Sequence, residues 1–327
     1  MPGLVAVPVG PVLGRGPGGL PPAAIGADPG APGPAPKGPL IFHVQDLQLD
    51  AARELAIIRQ PVLFALLERL ERFLFTRAQA VTTISRAMAA RIRDKGTPPE
   101  RLHLLPNWAD LEDITPGSRR NALRRELGLN AEIMVLYAGN MGEKQGLEVI
   151  LDAAAITRYN QTIRYVLVGE GAARQRLMDR AQRLALETVS FWPLQARDRF
   201  PLLLNAADIH LVVQKGQASD LVMPSKLGNI LAAGRPFIAT ARPETELGRV
   251  TTESQAGLLT PPEDAGALAQ AIVHLAQDES ARRKMGRKAR QFAEARLGRD
   301  RIMAAWERLL YGLVNQARRD GEMDRGI

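Results

Sequence analysis

The chain has 327 residues, of which 46% are hydrophobic and 24% charged, with no cysteine and a formal charge of +8. That length suggests about two domains, and the lack of cysteine excludes disulfides, thiolate metal sites, iron–sulfur clusters and thiol nucleophiles. Four histidines argue against a histidine-rich metal centre, and no run approaches the ~18 apolar residues of a membrane span. The positive balance suits an anionic partner such as a phosphate or a lipid headgroup. Nucleic acid is disfavoured, because aromatics make up only 5% of the chain and the basic residues are dispersed.

Residues 1–40 contain 11 of the 23 prolines and 10 of the 29 glycines. Such a stretch cannot bury enough apolar surface to offset its chain entropy, so residues 1–38 are expected to be disordered. The glycines from Gly14 to Gly19 lack a strand leading in, so they do not read as a dinucleotide loop.

From Pro39 the pattern changes. Leu40–Val44 reads as a buried strand, and residues 51–80 read as a helix with a kink at Pro61. Val81–Ser85 is a short strand, and Ser85 stands where a helix N-cap would. Another strand follows at Leu102–Leu105, then a linker with a short polar helix over residues 115–130.

Beyond the linker, strands are expected at Ile133–Ala138, Tyr165–Val168, Val189–Trp192, Ile209–Val213, Pro236–Ala239 and Gly257–Leu259, most of them separated by helical stretches. Near-continuous apolar strands alternating with helices mean a parallel sheet covered on both faces, here an α/β doubly wound, Rossmann-like domain of six strands. Basic C-terminal helices complete the chain.

Ligands of such sheets bind outside the carboxyl ends of the strands, and three loops there carry unusual residues. Gly139-Asn140-Met141-Gly142-Glu143-Lys144-Gln145-Gly146 allows close backbone approach to a ligand and adds the charge of Lys144, although a plain strand-to-helix turn has the same spacing. Val168-Gly169-Glu170-Gly171 is a weaker signal. The third loop holds Gln214 and Lys215, then Asp220, then Pro224-Ser225-Lys226-Leu227 at a helix start. Lys215 and Lys226 could neutralise a diphosphate without a metal, or could be two solvated surface lysines. No Asp-x-Asp pair and no GxxxxGK[ST] string occurs, which suits a site that uses cations in place of a hard metal ion.

These strings, together with His43-Val44-Gln45-Asp46, Thr83-Ile84-Ser85 and Leu105-Pro106-Asn107-Trp108, resemble glycosyltransferase family 4, whose fold is GT-B. The resemblance covers roughly residues 40–315 and implies a retaining transfer from a GDP- or UDP-activated sugar to a lipid-linked glycan, in exopolysaccharide assembly at the cytoplasmic face of the inner membrane. It implies no cofactor. It divides the chain into a segment 1–38, the last part of an acceptor domain at 39–115, a donor-binding domain at 116–300 and a C-terminal helix and tail at 301–327. The expected acceptor domain is incomplete, so a nucleotide-sugar-binding remnant without turnover is the alternative reading.

By the same resemblance, Gly139, Asn140, Gly142, Lys144, Glu170, Gln214, Lys215, Pro224, Ser225, Lys226 and Leu227 are assigned to the donor. The family's two glutamates, eight positions apart, fall here on Leu221, beside Asp220, and on Asn229, which can still hydrogen-bond a hydroxyl. His43 and Asp46 would face the transferred sugar or the acceptor hydroxyl, with a satisfied core histidine as the equal alternative for His43. The helix over 51–80 carries Arg53, Arg59, Arg69, Arg72 and Arg77 beside Phe64, Phe73 and Phe75. It reads either as a peripheral membrane contact or as an ordinary helix packed on the sheet with solvated arginines.

Overall fold

The computed structural model describes residues 4–8, 39–47, 49–50, 60–216 and 226–323; the Lys144 side chain also lies outside the described part. Two sheets organise these residues. The first has the order β1 (Leu4–Pro8), β2 (Leu40–Val44), β3 (Ala80–Thr83), β4 (Leu102–Leu104). β2, β3 and β4 run parallel, and β1 pairs antiparallel to β2, with Leu4 opposite Val44 and Pro8 opposite Leu40.

β1 corrects the reading of residues 1–38 as wholly disordered. Leu4-Val5-Ala6-Val7 is an apolar run free of glycine, and it caps the edge that β2 would otherwise leave open. Residues 9–38 lie outside the described residues. The helix expected over 51–80 is observed from Pro61 to Arg77, and residues 51–59 are not described. Pro61 opens the helix rather than kinking it, because its missing N–H costs nothing in the first turn. Ser85 caps the next helix, Arg86–Asp94, by accepting a hydrogen bond from the Met88 N–H at 3.2 Å.

The second sheet is formed by β5 (Ile133–Ala138), β6 (Ile163–Val168), β7 (Val189–Trp192), β8 (Ile209–Val213), β9 (Phe237–Thr240) and β10 (Gly257–Thr260). All its pairs are parallel, in the order β10-β9-β8-β5-β6-β7. The chain thus winds outward from β5 to β7, returns, and winds the other way from β8 to β10. The strand order reverses between β5 and β8, and the crevice outside the carboxyl ends of strands at such a reversal is where sheets of this kind bind ligands. The two sheets give the GT-B architecture expected from the sequence.

Apolar side chains fill both faces of the second sheet: Val135, Tyr137 and Leu211 pack toward one side, Met134, Leu136 and Val166 toward the other. At the opposite, amino-terminal edge a buried ionic cluster ties the linker to the sheet. Asp208 accepts hydrogen bonds from Arg119 (2.6 Å), from Arg124 (2.9 Å) and from the Met134 N–H (2.9 Å). Both Arg124 and Asp208 are buried.

The two halves are joined twice. The linker passes from β4 to the second sheet, where the Ala109 N–H donates to the Leu297 carbonyl at 2.9 Å. The C-terminal helix, Arg299–Met323, then returns to the first half and lays Trp306 edge-on against His43, with ring centres 5.2 Å apart.

Replacing Asp208 by Ala is expected to destabilise the fold by about 3–5 kcal/mol, because it strands the Arg124 charge in the interior. Urea denaturation checks this, and an unchanged midpoint would refute the role given to the cluster.

Candidate functional site

The crevice at the reversal point is built by glycines. Gly169, just after β6, has φ +151°, and a Cβ there would stand 1.9 Å from the Gly139 carbonyl oxygen. Gly139, just after β5, has φ +145°, and its own Cβ would stand 3.0 Å from Lys226 Nζ. The carbonyl excludes a side chain at Gly169, so the two loops lie backbone against backbone, and the left-handed φ of Gly139 favours glycine there as well. The Met141 N–H donates to the Glu170 carbonyl at 2.7 Å, and the Ala173 N–H to the Met141 carbonyl at 2.9 Å.

Lys226 opens the helix Lys226–Ala232. Its stem is half-buried, but its ammonium is fully buried and has no hydrogen-bond acceptor among the described residues. The ammonium sits 3.8 Å from the centre of the Tyr137 ring. A ring face offers a cation about 2 kcal/mol when dry, less than burial costs an ammonium. Burial accordingly lowers the Lys226 pKa to about 7. Tyr137 is locked under it: its hydroxyl donates to the Asn140 carbonyl at 2.6 Å, and burial raises its pKa. Among the described residues the Lys226 ammonium is thus a buried cation that faces a ring and no acceptor.

The other sequence-assigned residues fall into three groups. Around the crevice, Gly139, Asn140 and Gly142 line the β5 loop. Lys215 lays its stem against Gly146, where a Cβ would come 2.8 Å from Lys215 Cγ. The Gln214 N–H donates to Thr240 Oγ1 at 3.0 Å, which joins the β8 and β9 loops. Asn229 is half-buried in the first turn of the Lys226 helix. Leu227 is fully buried in the core, so only its backbone can serve the site. The Glu170 carboxylate is exposed, 3.7 Å from Arg174, and contributes to the loop through its carbonyl.

Asp220, Pro224 and Ser225 lie outside the described residues, as does the Lys144 side chain, whose backbone forms the 3-10 turn Glu143–Gln145. In the first half, Asp46 is exposed just beyond β2. His43 is half-buried with both ring nitrogens occupied, Nδ1 against Thr82 Oγ1 and Nε2 against Gln45 Nε2, each at 2.7 Å. An amide N–H from Gln45 makes Nε2 the acceptor and places the proton on Nδ1, and burial lowers the His43 pKa in keeping with a neutral ring. Gln45 in turn exchanges two hydrogen bonds with Asn107, each at 3.2 Å.

Sequence reasoning missed Tyr137 and Thr240. Tyr137 lies in an apolar strand, where an aromatic reads as core, and only the fold places Lys226 over its face. Among the described residues, no group of three or more His, Asp or Glu side chains is placed to hold a metal ion, and no helix is long and apolar enough to cross a membrane.

Comparison with known proteins adds to this geometry. Residues 18–108 match the glycosyl transferase 4-like domain, a match that begins inside the Pro/Gly-rich segment. The chain is 34% identical over 270 residues to the putative colanic acid biosynthesis glycosyl transferase WcaI of Escherichia coli, covering 80% of this chain and 65% of that protein. It is 30% identical to the probable glycosyltransferase WbjE of Pseudomonas aeruginosa, over 65% of this chain and 54% of that one. The chain therefore spans less than two thirds of the length of either relative. Among solved structures, HepE of Anabaena in complex with UDP superposes with a TM-score of 0.72 at 20% identity, over 84% of this chain and 72% of that one. Residues 119–292, more than half of the sequence, match the glycosyl transferases group 1 model, and the chain belongs to that family.

Proposed function

We propose that this chain binds a nucleotide-diphosphate sugar in the crevice between β5 and β8 and transfers the sugar, with retention, to a lipid-linked glycan in exopolysaccharide assembly. The observation that carries the reading is the buried Lys226 ammonium, which lies beside Gly139 and has no acceptor among the described residues. A diphosphate supplies the missing acceptor. As the bond between the anomeric carbon and the diphosphate oxygen breaks, negative charge grows on the leaving phosphate. A cation already in place and dry stabilises that charge without reorganisation. Lys144, Lys215 and the segment Asp220–Ser225 complete the donor side, with Asn229 toward the ribose. The solved HepE structures hold UDP and, in another case, UDP-glucose, which supports a uridine or similar nucleotide as donor.

Asp46 and His43 are assigned to the acceptor side. Asp46 is free to meet a hydroxyl, whereas His43 must exchange its bond to Gln45 for one to substrate, and otherwise positions Gln45 and Asn107. Neutralisation by lysine makes a divalent metal unnecessary. The helix Pro61–Arg77 is assigned to the membrane face that presents the acceptor. Val62, Leu66, Leu70 and Phe73 are each more than half exposed along one stripe, flanked by exposed Arg69, Arg72 and Arg77. A basic amphipathic helix of this kind suits an anionic cytoplasmic leaflet. A nucleotide-sugar-binding chain without turnover is the second reading, favoured by a first sheet that has four strands among the described residues.

Lys226→Ala should weaken UDP or GDP binding by about 1.5–3 kcal/mol, the scale of a charge-assisted hydrogen bond. The interaction also has a pH signature. The free ammonium titrates at about 7 and the bound one higher, so binding takes up a proton. Affinity should fall by up to about tenfold per unit between pH 7.5 and 9, where the nucleotide phosphate is already fully ionised. Calorimetry in buffers of different ionisation enthalpy reads this uptake, and pH-independent affinity in that range would remove Lys226 from the site.

EDTA should leave that affinity unchanged, and a loss restored by Mg²⁺ or Mn²⁺ would overturn metal independence. For the membrane face, Arg69→Glu with Arg72→Glu should abolish sedimentation with anionic liposomes, as should high salt for the parent. Salt-independent binding by both proteins would mean nonspecific apolar adhesion.

A further inference from the structure

The edge of the second sheet opposite the crevice holds a cavity of about 600 Å³. Its walls come from four separate segments: the linker at Pro116–Arg119, Asp208 at the start of β8, residues 233–236 before β9, and one face of the helix Glu279–Arg296. Six guanidinium groups line it, those of Arg119, Arg235, Arg282, Arg283, Arg287 and Arg290, against two carboxylates, Asp208 and Glu279.

Those two carboxylates are already engaged. Asp208 is held by Arg119 and Arg124, and Glu279 pairs with Arg283 at 2.7 Å. Two of the remaining guanidiniums are held by neutral groups. Arg235 donates to the Gly117 carbonyl at 2.6 Å, and its buried Nε has no acceptor among the described residues. Arg282 is buried and donates to the carbonyls of Leu275 and Ala276. Arg290 reaches the carbonyls of Ile114 and Ala232 and pairs with Glu294, while Arg287 is exposed with no acceptor among the described residues. Carbonyl hydrogen bonds fix a guanidinium in place without cancelling its charge. Burial, with Arg119 and Arg124 adding to it against Asp208, holds Arg235 below its ordinary pKa, and burial does the same for Arg282.

The cavity is rigid. A Cβ on Gly286 would stand 2.4 Å from the Gly234 carbonyl oxygen, so helix and loop touch through backbone. Asn205 holds the linker by accepting from the Gly117 N–H at 2.8 Å and donating to the Thr115 carbonyl at 2.9 Å. We propose that this arginine-lined cavity is a second anion site that takes a phosphate or diphosphate group, either of a free phosphorylated compound or of a lipid headgroup. It lies at the amino-terminal ends of β8 and β9, away from the donor crevice at their carboxyl ends. Because the linker forms one wall, occupancy bears directly on the segment that joins the two halves.

Inorganic diphosphate is the probe, titrated into the full chain by calorimetry at low salt. The parent should show two independent sites. Arg287→Glu, a change at an exposed residue without partners, should weaken one of them at least tenfold and spare the other. Lys226→Ala should do the reverse. In Lys226→Ala, diphosphate should slow hydrogen exchange at residues 233–236 and 282–290, a readout that does not depend on the Arg287 variant. Vesicles of phosphatidylglycerol identify the source: competition with diphosphate at the site lost in Arg287→Glu assigns a headgroup, and no competition assigns a free phosphate compound. An Arg287→Glu isotherm identical to the parent's, together with unchanged exchange in those segments, would overturn the proposal.

Discussion

The crevice depends on a chain of contacts too close for side chains. At Gly169 there is no room for a Cβ because the Gly139 carbonyl occupies its place, and Gly139 in turn lies directly under the end of the Lys226 side chain. Three segments that follow three different strands are thereby stacked along the edge of one sheet. The strand order makes the stacking possible by setting β5 between β6 and β8. Had β8 been added beyond β7, two strands would separate Lys226 from the loop it now covers.

The two ends of this sheet treat charge in opposite ways. At the amino-terminal edge, Asp208 satisfies two arginines and a backbone N–H, an arrangement that closes on itself and holds the linker against the sheet. At the carboxyl edge, the Lys226 ammonium is withdrawn from water and given only an aromatic face. The first pairs opposite charges, although the buried Nε atoms of Arg124 and Arg235 have no acceptor among the described residues, and the second leaves a cation facing a ring. Val135, Leu211 and Val213, together with the helix Glu148–Ile156, supply the apolar burial that lets the fold carry an unsatisfied cation.

Most of this architecture is legible in the amino-acid sequence. The strands β5, β7 and β8 begin and end at the residues expected, and in β5 every position is apolar, as in a strand buried on both faces. The loops carrying Gly139, Lys215 and Lys226 stand out because glycine and lysine are out of place at the end of such runs. What the sequence hides is whatever depends on pairing between distant segments. β1 is a short apolar run amid proline and glycine, and only its partner β2 makes it a strand. Pro61 serves equally as a kink or a beginning until the residue before it is seen extended. Tyr137 looks like core until Lys226 lies over it, and the arginine cavity is assembled from segments more than 150 residues apart, none unusual alone.

The linker and the C-terminal return cross between the halves side by side, bonded to one another where Ala109 meets Leu297 and Gly298. Two adjacent crossings tied together act as a door hinge does, with a single pin. Twisting and sliding of one half on the other would shear that bond, whereas swinging about the line through it leaves the bond intact. Swinging is therefore the relative movement that this tie opposes least. Beyond the pin the C-terminal helix stays with the first half, where Trp306 rests edge-on against His43. The connectivity of the chain thus bears on how its two halves meet, through a single tie between segments that are far apart in sequence.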